Sequence, residues 1–292
     1  MLLSYICGGI GNQLFQYAMA YCLAKKFNSE LILDISSYQR DKKRNFRLDY
    51  FNIPYTKTNQ NGAPFGTRWS VRQIRYALTK VGFYPEWQWV KENEGHLLEY
   101  DHLDFSKNIC LQGYWQNPIY FEENSDEIRH IFSLRKLDYS LVAKISDETN
   151  GANSVCVHIR RGDYFSNRAL AAKYGVCTAS YYNRAIDSIE KQINTPSFFV
   201  FSDDLEWAKK NIDSKNHKIA FVAIDCTEHT DLYEFHLMQQ CKHHIISNST
   251  FSWWSAWLST NDPNHIVIYP GIQKRKSPIY PKNWQCGEVS DI

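Results

Sequence analysis

The stretch "LLSYICGGIGNQLFQYAMAYCLAKKFNSELILDI", residues 2–35, decides the fold. A short apolar run is broken by glycines at 8, 9 and 11. Leu14, Phe15, Tyr17, Ala18, Tyr21, Cys22 and Phe27 then recur near helical spacing, before a second apolar run at 31–35. Strand, glycine turn, helix and strand make a βαβ opening, which implies a parallel sheet. The spacing places one face of the helix on that sheet.

The same stretch has no charged side chain before Lys25 and resembles a signal or membrane segment at first sight. It lacks a basic leading region, its glycines, Asn12 and Gln13 interrupt it, and its apolar runs fall short of the roughly 20 residues that a span needs. The eight cysteines are scattered, form no Cys-x-x-Cys pair and sit mostly inside apolar runs, as thiols of a reducing compartment do. The expected location is the cytoplasm, where the Asn248 sequon is no glycan acceptor.

A chain of 292 residues exceeds the usual single domain. A net charge of +2, from 33 basic and 31 acidic residues, excludes a sequence-independent nucleic-acid binder, so any anion must be met locally. Residues 36–120 parse poorly. From about 152 the pattern is regular: strands at 154–159, 198–202, 219–224, 244–247 and 266–269 alternate with helices near 180–192, 205–211, 230–241 and 251–259. Apolar density falls towards "SDETNGAN" at 146–153, which divides the chain into domains 1–150 and 151–292, the last residues free to pack back on the first.

Ligands of open parallel sheets bind beyond the carboxyl ends of the strands. Three strands of the second half end in polar chemistry: Arg160-Arg161-Gly162-Asp163, Ser202-Asp203-Asp204 and Asn248-Ser249-Thr250. Side chains alternate along a strand, so His158 and Arg160 share a face and Arg161 takes the other. One arginine then suits a phosphate pair, while the other pairs with a carboxylate such as Asp163. Asn248-Ser249-Thr250 is either an anion site at a helix N-terminus or an ordinary cap. Ser202-Asp203-Asp204 is either a set of acceptors for a nucleoside or a cap for the helix at Leu205. Together these ends suggest a nucleotide-diphosphate pocket. No Asp-x-Asp pair occurs, and Cys241, His243 and His244 lack a second cluster, so no metal is expected.

At this point the chain resembles the bacterial α1,2-fucosyltransferases of glycosyltransferase family eleven. The resemblance rests on "GGIGNQLFQYAMA" (8–20), "GYWQNPIYF" (113–121), "VHIRRGDY" (157–164), "FVFSDDLEWAK" (199–209) and "CKHHIISNSTFSWWSAWL" (241–258), in the family's order, with 36–105 divergent. It implies a GT-B α/β architecture: two Rossmann-like domains with parallel sheets facing across a cleft, an acceptor-side first domain and a GDP-fucose-binding second one. It also implies inverting, metal-free transfer of L-fucose from GDP-β-L-fucose to the 2-hydroxyl of a terminal galactoside, in O-antigen or other surface glycan synthesis. The implied donor-binding residues are Gly9, Gly11, Asn12, Gln13, Arg160, Arg161, Ser202, Asp203, Asp204, Asn248, Ser249, Thr250, Phe251 and Ser252. Arg160 is the diphosphate ligand, in agreement with strand parity. No cofactor is implied beyond the donor substrate.

The general base stays open among His158, Asp163 and a first-domain carboxylate such as Asp34. Tyr114 and Trp115 are candidates to stack on acceptor sugars, against the plainer role of core packing. Five basic residues against Asp41 between Arg40 and Arg47, and a helix with Arg68, Arg72, Arg75 and Lys80, form either a solvated face or a contact with an anionic membrane carrying a lipid-diphosphate-linked acceptor. The oligomeric state stays open. Other readings are an α1,6-type transferase of a GDP-sugar and a non-catalytic nucleotide-sugar-binding protein. A dehydrogenase or epimerase would need a Gly-x-Gly-x-x-Gly turn, and Gly8-Gly9-Ile10-Gly11-Asn12-Gln13 lacks the last glycine.

Overall fold

The computed structural model describes residues 1–39, 41, 43–58, 69–93, 96–135, 137–151, 153–162, 175–226, 228–259, 262–272 and 279–289. The chain divides into two compact units, Met1–Arg135 with Lys276–Ile279, and Lys136–Arg275 with Tyr280–Ile292. Among the described residues no helix is long and apolar enough to cross a membrane.

In the first unit β1 (Leu2–Tyr5), α1 (Ile10–Lys26) and β2 (Leu31–Asp34) realise the βαβ opening. They are followed by β3 (Thr56–Thr58), α2 (Trp69–Lys80), β4 (Trp87–Lys91), β5 (Asn108–Gln112) and α3 (Ser125–Ile131). The strands form one parallel sheet in the order β3-β2-β1-β5-β4, with Leu3 paired to Ile32 on one side and Cys110 on the other. A central parallel strand is covered on both faces, and Leu2, Leu3 and Ser4 of β1 are all buried. The helix differs from the expectation. Rather than laying one face on the sheet, α1 is buried almost all round, with Gln13 and Gln16 inside as well as Leu14, Phe15 and Tyr17. Two buried amides in a helix demand partners, and the loops at the strand ends supply them.

The second unit contains α4 (Ala143–Thr149), β6 (Ser154–Ile159), α5 (Ala179–Glu190), β7 (Ser197–Ser202), α6 (Leu205–Asn211), β8 (Ile219–Phe221), α7 (Thr230–Gln240), β9 (His243–Ile245), α8 (Thr250–Ser259), β10 (Val267–Pro270) and β11 (Gln285–Gly287). Its parallel sheet runs β11-β10-β9-β6-β7-β8. Alternation along β6 is visible in the packing. Val155, Val157 and Ile159 enter one core with Tyr181, Tyr182 and Ile186 of α5, whereas Cys156 enters another with Phe199, Phe201, Tyr233 and Leu237.

One boundary needs correction. The division falls at 135/136 and not at 150/151, because α4 packs on β6 and α7. The Thr149 hydroxyl is buried and donates to Gln240 Oε1 at 3.0 Å. At the other end Lys276–Ile279 belong to the first unit, while Gln285–Gly287 close the second sheet as β11.

Candidate active site

In the second sheet the chain runs from β6 to β7 on one side, while β9 lies on the other. The strand order therefore reverses between β6 and β9, and the crevice beyond their carboxyl ends is the place for a ligand. Arg160 and Arg161 leave β6 there, and Asn248-Ser249 leave β9 into α8.

The two arginines part as strand parity predicts. Arg161 follows the face of Val155, Val157 and Ile159: it is buried, and its guanidinium lies over the Trp207 ring at 4.0 Å. Its carboxylate partner is Asp204 at 3.7 Å, where Asp163 was expected, and Asp163 lies outside the described residues. Arg160 follows the other face, and its Nη1 meets Asp203 Oδ2 at 2.9 Å. The second oxygen of Asp203 accepts the Arg161 N–H at 2.9 Å. A Cβ on Gly162 would stand 2.6 Å from Asp203 Oδ2, so the glycine supplies room for this carboxylate. Asp203 thus braces the arginine turn, a different task from the nucleoside contact expected of it.

Two further members of that block are caps. Ser202 Oγ accepts the Asp204 N–H at 3.0 Å, and Asp204 Oδ1 accepts the Trp207 N–H at 3.0 Å to start α6.

His158 Nδ1 lies 3.0 Å from Ser247 Oγ, and the ring stands 5.5 Å from that of Phe251. Burial, with Arg160 nearby, pushes its pKa down to about 3. An imidazole with so low a proton affinity is a weak base near pH 7. Asp34 is buried, and its Oδ1 accepts the Ser36 N–H at 3.0 Å, a structural task as well.

At α8, Ser249 Oγ accepts the Phe251 N–H at 3.3 Å, so Ser249 and Thr250 stand at the helix start as read from the sequence. Ser252 does not reach a ligand through its side chain. It is fully buried, and its hydroxyl is within 3.2 Å of Ser249 O and 3.4 Å of Ser247 O. Asn248 is buried too and donates from Nδ2 to Gly175 O at 2.9 Å, shaping the turn from within.

The reading of the sequence passed over Glu234, in the second turn of α7. This half-buried carboxyl is pushed up to about 7, first by burial, then by Asp231 and Asp203, with Arg160 opposing. It lies on the Arg160 side of the sheet, next to Tyr233 and Phe235. The signal is present in "TDLYEFHLM", where one acid interrupts the buried run of a helix.

The first unit has its own reversal, between β1 and β5. There Gln116 Nε2 donates to Asn12 Oδ1 at 2.8 Å, joining the loop after β5 to the first turn of α1. The space beside Gly9 opens towards Arg44, whose Nη1 lies 4.0 Å from where a Cβ would be. Part of the basic 40–47 run therefore serves this turn. Gln13, expected on the donor, is fully buried: Nε2 donates to Gly8 O and Asn45 O at 3.0 and 2.9 Å, and Oε1 accepts the Arg47 N–H at 2.9 Å. Gln16 likewise accepts from Cys7 N and donates to Gly113 O, both at 3.0 Å. Glu92 caps the next loop, accepting the N–H groups of Tyr114 and Trp115 at 2.6 and 3.0 Å. Trp115 is only 2% exposed and sits edge-on to Tyr120, so it cannot stack on a sugar. Tyr114, 43% exposed, remains the acceptor candidate of the pair.

Replacing Gln13 by alanine takes the side-chain acceptor from the buried Arg47 N–H, while Gly8 O keeps the Tyr38 hydroxyl at 2.8 Å and Asn45 is exposed. The expected result is a loss of about 1–3 kcal/mol in denaturant unfolding. A weakened donor affinity with unchanged stability would contradict it.

The sequence matches the family description Glycosyl transferase family 11 over residues 2–288. It is 36% identical over 280 residues to an α1,2-colitosyltransferase of Escherichia coli, covering 92% of this chain and 91% of that one. It is 32% identical over 290 residues to the O-antigen biosynthesis glycosyltransferase WbnK of Escherichia coli, covering 91% and 93%. In three dimensions it is similar to NodZ α1,6-fucosyltransferase soaked with GDP-fucose, with a TM-score of 0.51 at 17% identity over 94% of this chain and 96% of that one.

Proposed function

The chain belongs to glycosyltransferase family 11, and from that premise we propose that it transfers L-fucose from GDP-β-L-fucose, with inversion, to the 2-hydroxyl of a terminal galactoside. One observation carries the reading: Arg160 and the start of α8 leave adjacent strands at the point where the order of the second sheet reverses. A guanidinium fork and the backbone N–H groups of a ten-residue helix are suited to a diphosphate. As the sugar leaves, charge builds on the terminal phosphate, and donors fixed there stabilise the transition state more than the ground state. Asp203 fixes Arg160 in advance of that charge. Two roles fall to these groups, binding and neutralisation, and we assign no metal to either.

The acceptor hydroxyl must lose its proton. Of the described carboxyls around Arg160, Glu234 has a proton affinity near the working pH, and we assign it as the base. The name of the WbnK relative supports an acceptor in O-antigen synthesis, and we place the reaction in the cytoplasm on a lipid-diphosphate-linked oligosaccharide.

A second reading has its own support. The 36% identical relative is a colitosyltransferase, and colitose is fucose without the 3-hydroxyl. Incubation with GDP-fucose or GDP-colitose, a panel of β-galactosides and excess EDTA should release GDP, with GDP-fucose the better donor. Preference for GDP-colitose would transfer the assignment to that sugar. Release from neither donor, with no GDP binding by calorimetry, would end the fucosyltransferase reading.

A further inference from the structure

The first unit carries an apolar surface that its own fold leaves uncovered. Tyr76 of α2 turns inward and meets Trp89 edge-on at 5.7 Å, beside Leu3 and Cys110. The outward row is Ile74, Ala77 and Val81, at helical spacing, with Ile74 61% and Val81 71% exposed. Gly82, at φ +90°, ends the helix and lets Phe83 N–H fold back onto Leu78 O at 2.9 Å. Phe83, which follows that turn, is 60% exposed. Single exposed apolar residues are ordinary, but three large ones within ten positions are an interaction patch.

Charge selects the occupant. After Asp49 the next acidic residue is Glu86, and the sequence between them carries Lys57, Arg68, Arg72, Arg75 and Lys80, with Lys80 in the last turn of α2. A second copy of this chain would bring like charges together, and a nucleic acid gains nothing from an apolar row. An anionic lipid bilayer satisfies both features, since it takes apolar side chains at the depth of the headgroups and basic ones against its surface charge. We propose that α2 and the Val81–Phe83 turn dock the protein on anionic membrane, Ile74, Val81 and Phe83 entering the headgroup layer. The proposal stands apart from the glycosyl-transfer reading, because it uses none of the residues of that site.

The test is flotation of the full chain with phosphatidylcholine vesicles, with and without 30% phosphatidylglycerol. Flotation with the anionic vesicles alone, reversed by 0.5 M NaCl, is expected. Each of Ile74→Asp, Val81→Asp and Phe83→Asp should weaken partitioning by about tenfold, the order expected for withholding one side chain from apolar burial. The triple variant, checked for an unchanged unfolding midpoint, should keep wild-type turnover of a soluble galactoside. Three results would overturn the proposal: no flotation with either vesicle, flotation that the triple variant retains, or dimerisation in sedimentation that the triple variant abolishes.

Discussion

Replacement of Arg160 by lysine should lower kcat by about 10²–10³, the range seen when one preorganised oxyanion donor is removed. Charge is conserved in this variant, so the loss measures geometry. A guanidinium presents two parallel N–H donors, whereas an ammonium presents one point charge on a flexible stem. Asp203 adds to the effect, because the grip of its Oδ2 on Nη1 is what orients the fork. The unfolding midpoint should scarcely move, since the pair is at the surface edge of the sheet and such pairs contribute under about 1 kcal/mol. Arg161→Lys is the control. Its guanidinium lies over the Trp207 ring, so its loss should cost about 1–2 kcal/mol of stability as well as activity. Steady-state kinetics beside thermal unfolding reads both, and equal profiles for the two variants would defeat the division of labour.

Glu234→Gln should remove about 10²–10⁴ of kcat, the range for a lost general base, and flatten its pH profile. In the wild type kcat should rise with pH through about 7, where the carboxyl releases its proton. Stability gives an independent readout of opposite sign. The folded carboxyl holds its proton to about 7, against an ordinary value of 4.5, so between those values the native state binds more protons than the unfolded one. Stability therefore falls as pH rises across that window and is flat above it. Glutamine removes this slope. Retention of the kinetic limb near pH 7 in the variant, with kcat within threefold, would assign the base elsewhere. Loss of the stability slope alone would show a buried acid without a catalytic task.

The second sheet was open to reading because its strands are continuous apolar runs that end abruptly in charge, as "CVHI" does before Arg160. Strand alternation then separated Arg160 from Arg161 correctly. What could not be read was set by distant partners. Nothing near Gln13 in the chain reveals that Asn45 and Arg47 consume its amide, and nothing near Tyr114 reveals Glu92 beneath it. Strands β3, β4 and β5 were missed because aromatic residues in "WQWVK" and the brevity of "TKT" hide their period, and β11 because its exposed "QCG" has no apolar pattern. Glu234 was passed over for the same reason that the contacts of Asp203 with Arg160 and Arg161 went unread. A carboxylate declares its role only through what faces it.

The space between Gly162 and Asp203 has a consequence for how this sequence can drift. Gly162 is held not by its backbone angles but by an oxygen where its Cβ would be. Any larger residue at 162 must displace the carboxylate that orients Arg160, and any change at 203 releases both neighbouring arginine contacts at once. The two positions, forty-one apart in sequence, are therefore free to vary only as a pair. In a library randomised at both, surviving clones should show the two choices statistically tied, although each site taken alone would look simply intolerant.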